Sequence, residues 1–292
     1  KKKSFQNNDS KNLILIYLES FETKLSGHKY KNLKLTDKLF ENTFDGISIQ
    51  KFKQLEGLGF SLGSLIGTQC GIPIKSNSMS ILSTKLLTNF KTFMPNIDCL
   101  SDILRFYNYY NIYISGDDLD NFGQYGFLRT HNFNEIYGVR ELKNKVKLSK
   151  SAYHDKSKFN GGVHDENILE FALRTFKKFH NEKKLFLTVS TLDTHIPYGY
   201  PSENCKKKFD YKIKILSKNN LKISYNCTSR NIINFVNKIK EIDSKNTVIV
   251  LLGDHRLMAP LDYIDIKNIQ EKERFLYNRF INFENNIRFH RK

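Results

Sequence analysis

The chain has 292 residues, which suits one large α/β domain or two small ones with ample core. Lysine and arginine outnumber aspartate and glutamate by 47 to 30, a net charge of +17 that attracts nucleic acid, anionic membrane surfaces or phosphorylated substrates. A Lys/Asn-rich compositional bias gives the same number. No apolar run approaches the roughly 20 residues needed to span a bilayer, and no Walker loop, dinucleotide fingerprint or C2H2 spacing is present.

Residues 1–11 are Lys-, Asn- and Ser-rich and read as a linker, so residues 12–292 form the folded domain. Asn12 to Ser20 is a buried-strand pattern that stops at Glu19. Residues 29–42 read as polar loop and helix. Gly57 to Ile74 carries glycine-led turns and a short apolar helix with Ser61 at its start and Gly71-Ile72-Pro73 ending it. Cys99 to Tyr110 reads as an amphipathic helix with Leu100, Ile103, Leu104 and Tyr107 on one face. Asn111 to Ser115 is a short strand, followed by a Gly/Asp-rich loop over 116–126. A helix is expected from Asp165 to His180, and a strand from Leu185 to Leu192 that runs into Asp193, Thr194 and His195. Residues 199–226 form a long basic excursion, and Thr228 to Ile242 a helix with Ile232, Phe235, Val236 and Ile239 at helical spacing. Val248 to Leu252 is an uninterrupted apolar strand ending in Gly253, Asp254 and His255. Residues 260–292 are polar, with a short strand at Arg279 to Phe283.

Strands that alternate with helices and end in polar residues predict an α/β fold, a mostly parallel central sheet flanked by helices on both faces. Parallel strands place their carboxyl ends on one rim, where ligands of such sheets sit. Glu19, Asp193, His195, Asp254 and His255 all fall at such ends. Carboxylates with an imidazole suit one divalent cation, Mn²⁺ or Mg²⁺ by preference and Zn²⁺ as the alternative. The Ser61 oxygen would complete the shell, and a serine so placed is an activated nucleophile. Cys70, Cys99, Cys205 and Cys227 lack zinc-ribbon or thioredoxin spacing, leaving two disulfides or four buried thiols.

Seven motifs carry a family resemblance: NLILIYLESFE at 12–22, FSLGSLIGTQCGIPI at 60–74, MPNIDCLSDIL at 94–104, GFLRTHNFNEIYG at 126–138, STLDTHIPYG at 190–199, NCTSRNIINFVNKIK at 226–240 and TVIVLLGDHR at 247–256. In order and wording they resemble the catalytic domain of the alkaline phosphatase/sulfatase superfamily. Within it they are most similar to the periplasmic phosphoglycerol transferases that decorate membrane-derived oligosaccharides, and more distantly to lipoteichoic acid synthase. The likeness runs from about residue 12 to 283 and implies that residues 12–292 are a single catalytic domain. Position by position, it implies that Glu19, Asp254 and His255 are metal ligands, that Ser61 stands where relatives carry the nucleophilic threonine, and that His195 contacts the phosphate or glycerol group. It also pairs Cys70 with Cys99 and Cys205 with Cys227.

Three departures qualify that transfer. The nucleophile is Ser rather than Thr, and Thr68 is a rival hydroxyl in the same block. The loop in which lipoteichoic acid synthase carries a substrate-gripping arginine corresponds to Phe122 to Gln124, without an arginine; with Asp193 these are the further substrate-binding candidates. Gly63 and Leu65 stand where a sulfatase needs residues for formylglycine formation, which argues against sulfatase activity. The expected activity is therefore metal-dependent transfer of phosphoglycerol, from an anionic phospholipid such as phosphatidylglycerol or from a substituted glucan, to a glycan acceptor through a phospho-serine. Phosphoethanolamine transfer, or phosphodiester hydrolysis by the same superfamily chemistry, is the alternative. The resemblance further implies an outward-facing domain on the periplasmic face of the bacterial inner membrane, anchored there by transmembrane helices in the full-length protein, with residues 1–11 the end of the tether. Nucleic acid is not an expected partner, since no binding motif accompanies the positive charge.

Overall fold

The computed structural model describes residues 11–25, 29–30, 33–34, 46–74, 92–120, 123–146, 148–154, 161–208, 218–258 and 274–283. Six strands form the central sheet: β1 (Asn12–Leu18), β4 (Tyr109–Ser115), β5 (Glu135–Tyr137), β6 (Lys184–Ser190), β7 (Thr247–Gly253) and β8 (Asn278–Asn282). β2 (Lys29–Tyr30) and β3 (Leu33–Lys34) make a separate antiparallel pair. The spatial order is β5-β4-β6-β1-β7-β8, parallel throughout except for β8, which runs antiparallel along β7 at the edge. The fold class expected from the strand–helix alternation is the one observed.

Period-two alternation sends neighbouring side chains of each strand into different layers. Ile14, Ile16, Ile112, Ile114, Leu187, Ile249 and Leu251 pack on one face with the helices Asp165–Phe179 and Lys218–Asp243. Leu15, Tyr17, Tyr113, Phe186 and Leu252 pack on the other with Leu62, Leu65 and Ile66 of the helix Ser61–Cys70 and Phe127 and Leu128 of the helix Gln124–Thr130. Both faces are thus covered, which is why β1 and β7 read as continuous apolar runs.

The register levels the carboxyl ends. Leu18 lies opposite Gly253, Tyr17 opposite Ser190, and Ser190 opposite Ser115. A Cβ on Gly253 would stand 2.1 Å from the Phe21 carbonyl oxygen, so the chain leaving β1 passes β7 only because that position is glycine.

Four local expectations are corrected. The first helix after Cys99 covers only Leu100–Phe106, and β4 already begins at Tyr109. Asn108 adopts φ 66, which breaks the helix there. Ile103 and Tyr107, placed on the buried face by periodicity, are 48% and 46% exposed, because the short helix is pinned instead through Cys99 and Ser101, both fully buried. The loop expected over 116–126 gives way at Gln124 to a helix, since Leu128 and Phe127 are needed to cover the sheet. Lys218–Asp243 starts ten residues before the expected Thr228, so Cys227 lies inside a helix, where polar Asn226, Thr228 and Ser229 are buried. β8 confirms the strand expected near Arg279. The linker reading of residues 1–10 and most of the 29–42 and 260–292 readings lie outside the described residues.

Candidate metal centre

Glu19 is the first residue past β1 and Asp254 the first past β7, so the pairing of those strands sets the two carboxylates side by side. Glu19 N–H donates to Thr191 Oγ1 at 2.9 Å, and Thr194 Oγ1 donates to the Glu19 carbonyl at 2.7 Å, which ties β1 to the turn after β6. Ser20 adopts φ 59, a conformation rarely occupied by side-chain-bearing residues. That turn lets its N–H donate to Asp254 Oδ1 at 2.8 Å and its hydroxyl to Glu19 Oε1 at 2.7 Å.

His255 completes the group. Its Nδ1–H donates to the Arg256 carbonyl at 2.9 Å, which leaves Nε2 facing Glu19 Oε1 and Asp254 Oδ2, each at 3.4 Å. All three side chains are buried, and ligand atoms of the three lie within 4.8 Å of one another. Asp254 Oδ2 and His255 Nε2 are buried with no hydrogen-bond partner among the described residues. An imidazole lone pair aimed at two carboxylates in a dry site is stable only with a positive charge between them. A cation supplies it, and so does a proton. Burial and the adjacent Glu19 carboxylate push the Asp254 carboxyl well up; burial pulls His255 down, but Asp254 and Glu19 outweigh it and raise it to about 9. The donor set fits one divalent ion with oxygen and imidazole ligands.

Ser61 opens its helix after an extended Phe60 that makes no side-chain cap. Its hydroxyl lies 3.5 Å from Glu19 Oε2, on the rim of the group and partly exposed. The rival Thr68 is turned elsewhere: its Oγ1 lies 2.5 Å from the Tyr17 hydroxyl and donates to the Ser64 carbonyl at 2.7 Å. Burial raises that tyrosine to about 12, so it stays a neutral partner.

His195 sits on the turn after β6, with Nδ1–H donating to the Ile196 carbonyl at 2.6 Å. Burial lowers its pKa; the Asp117 and Asp254 carboxylates pull it back up and His255 pushes it down. The same field acts on Asp117, which burial raises to about 6 against the opposing pull of His195. Asp117 interacts electrostatically with His195 and was not singled out by sequence reasoning. The signal was available, since Ser115-Gly116-Asp117 is one more strand end followed by a carboxylate.

Asp193 belongs to a different group. Its Oδ1 accepts from His154 Nε2 at 2.7 Å and His164 Nδ1 at 2.9 Å, and its Oδ2 accepts from the Asp165 N–H at 3.2 Å. All of these side chains are buried. Gln124 is the first residue of its helix and 5% exposed, while Phe122 lies outside the described residues. Cys70 is bonded to Cys99 and Cys205 to Cys227, with Cα separations of 4.1 and 6.0 Å.

Three residues past Glu19, Glu22 is fully buried and takes both arms of Arg274, Nε at 2.9 Å and Nη2, together with the Leu257 N–H at 2.9 Å. That clamp holds the segment leaving His255 against the end of β1.

The Sulfatase family matches residues 11–281, nearly the whole chain. The chain belongs to the sulfatase family. This sulfatase-family chain is 33% identical over 256 residues to phosphoglycerol transferase I of Salmonella arizonae, a match that covers 86% of the chain and 32% of that protein. It therefore spans about a third of the length of the curated relatives it matches. Its fold is shared with the lipoteichoic acid synthase LtaP of Listeria monocytogenes at TM-score 0.68, with 15% identity, 93% of this chain covered and 65% of that one. It is shared also with the phosphoglycerol transferase GacH of Streptococcus pyogenes, solved with sn-glycerol-1-phosphate, at TM-score 0.59 and 15% identity, covering 94% and 69%.

Proposed function

We propose that this site transfers phosphoglycerol from an anionic phospholipid, phosphatidylglycerol, to a hydroxyl of a surface glycan. The observation that carries the reading is the Ser61 hydroxyl 3.5 Å from Glu19, on the open side of a buried carboxylate–carboxylate–imidazole set. Phosphoglycerol transfer is the activity named for the Salmonella arizonae relative, and GacH holds glycerol phosphate.

Glu19, Asp254 and His255 would hold one divalent ion, which supplies charge to a phosphoryl oxygen and lowers the pKa of a nearby hydroxyl. Ser61 gives up its hydroxyl proton and attacks the phosphorus, its O–P bond forms, and the bond to the diacylglycerol oxygen breaks. The departing oxygen takes a proton. Ser61 keeps the phosphoglycerol until a glycan hydroxyl attacks the same phosphorus and the Ser61 O–P bond breaks. His195 orients the head group and exchanges the proton: with Nδ1–H committed to Ile196, Nε2 is the basic atom, and its lowered pKa keeps it neutral near pH 7. The Ser61 helix opens towards the group with its dipole positive, which favours the phosphate. In this reading the site works at the periplasmic face of the inner membrane, within a longer anchored protein.

The test is incubation of the metal-loaded chain with phosphatidylglycerol, with phosphatidylethanolamine in parallel. Diacylglycerol release and a phosphoglycerol adduct on the Ser61 peptide are expected from the first lipid alone. No release, or an adduct on Thr68, overturns the assignment.

A further inference from the structure

The segment 46–56 leads into the Ser61 helix along the outer edge of the sheet. Its inner side is fixed. Ile47 exchanges both backbone hydrogen bonds with Phe280 of β8, at 2.9 and 2.8 Å. Ile49 N–H donates to Asn278 Oδ1 at 2.6 Å and its carbonyl accepts from Asn278 Nδ2 at 3.0 Å. Phe52 packs with the apolar cluster under the Ser61 helix, and Leu276 N–H donates to its carbonyl at 2.9 Å. Gln54 Oε1 accepts from Arg256 N–H at 2.7 Å, one residue past the ligand His255.

Ile47, Ile49, Lys51, Lys53 and Leu55 are all exposed, as are Gln50 and Glu56, and the chain turns at Lys51, which adopts φ 55. Ile47, Ile49 and Leu55 are 48%, 51% and 56% exposed, and Met258, two residues past Arg256, is 42% exposed. Four of the seven large exposed apolar side chains among the described residues thus flank the site, two lysines stand among them, and the backbone beneath is pinned. Apolar tips interleaved with lysine fit an interfacial layer, with tips at the acyl boundary and ammonium groups at phosphates.

We propose that the Ile47–Ile49–Lys51–Lys53–Leu55 face, with Met258, docks on the surface of an anionic phospholipid bilayer and presents the Ser61 rim to the head groups. This rests on the lipid-donor reading above and adds to it the surface through which the donor is reached. The second exposed apolar group, Ile103, Phe106 and Tyr107 on and just past the Leu100–Phe106 helix, serves as a control.

The experiment is co-sedimentation of the purified chain with vesicles of phosphatidylcholine alone or mixed with phosphatidylglycerol. The wild type should bind the mixed vesicles and lose that binding in high salt. Ile47→Asn/Ile49→Asn/Leu55→Asn should weaken binding by about tenfold or more, and each of Lys51→Gln and Lys53→Gln by ~fivefold. Phe106→Ser should bind as the wild type does. Thermal unfolding, and turnover of a water-soluble glycerol phosphodiester, should be unchanged in the triple variant. Equal binding by wild type and triple variant, a loss in Phe106→Ser alone, or a triple variant that changes only self-association overturns the surface. If the wild type binds vesicles through this face yet turns over neither lipid nor soluble diester, the docking stands and the transferase reading falls.

Discussion

The backbone N–H of Ser20 donates to Asp254 Oδ1 at 2.8 Å, joining residues 234 positions apart. With the Ser20 hydroxyl on Glu19, one residue orients both carboxylates of the candidate metal centre. Both carboxylates are therefore oriented by the hydrogen bonds of one turn, and such pre-arrangement would lower the ordering cost of binding a cation.

Asp254→Asn keeps an oxygen for the Ser20 and His255 N–H groups and removes the charge. The variant should fold with nearly unchanged thermal stability and retain less than about a tenth of the wild-type metal by elemental analysis, in line with the loss of a ligand. Full metal content would refute the ligand set.

Ser61→Ala should lower kcat by at least about a thousandfold at unchanged metal content. Thr68→Val should stay within about threefold, because that hydroxyl is engaged with Tyr17 and Ser64 and does not face the site. A reversed outcome would move the nucleophile to Thr68.

Arg274→Met takes from the fully buried Glu22 side chain its bidentate partner. Chemical denaturation should show a loss of about 3–5 kcal/mol, and adding Glu22→Gln should recover part of it. Equal stability of all three proteins would show that the clamp contributes nothing.

The Asp165–Asp193 pair gives a signed pH dependence. Burial, with Asp193 beside it, raises Asp165 to about 8, so the folded state loses stability as pH climbs from the unfolded value near 4 towards 8. Burial would also raise Asp193, but His164 and His154 hold it at about 2, so its contribution of roughly 2 kcal/mol is lost as pH falls from near 4 to 2. The contribution of this pair alone is most favourable near pH 4. Asp165→Asn can still accept from Leu192 and Asp193 N–H and face Thr228 Oγ1. It should stabilise the chain at pH 7 by ~2 kcal/mol and flatten the slope above pH 4, measured by denaturation across pH. An unchanged slope would mean that Asp165 is ionised when folded.

The strands that carry ligands were the most legible part of the chain. Apolar runs such as Val248 to Leu252 mark doubly covered strands, and the residues just past such a strand lie on the rim. Of the residues that logic singles out, the structure brings Glu19, Asp254 and His255 together and sets Asp193, which also comes after a strand, in another group. A strand end fixes where a backbone emerges, not which way its side chain turns. For Asp193 the direction is set by His154 and His164, from segments with no periodic signal. Asp117 obeys the same strand-end logic, two residues past Ser115, but was overshadowed by Asp118 and Asp120 in the same loop. The early start of the Lys218–Asp243 helix was masked by buried polar residues, whose burial depends on partners distant in sequence.

β1 lies between β6 and β7, so the strand that opens the described chain is completed only by segments near its far end. During synthesis its apolar run lacks its full set of neighbours until about residue 253 has emerged. Such distant pairing slows folding and leaves a sticky edge open meanwhile. The strand that delivers Glu19 thus keeps one side open until β7 pairs with it, and Glu19 meets Asp254 and His255 only through that pairing.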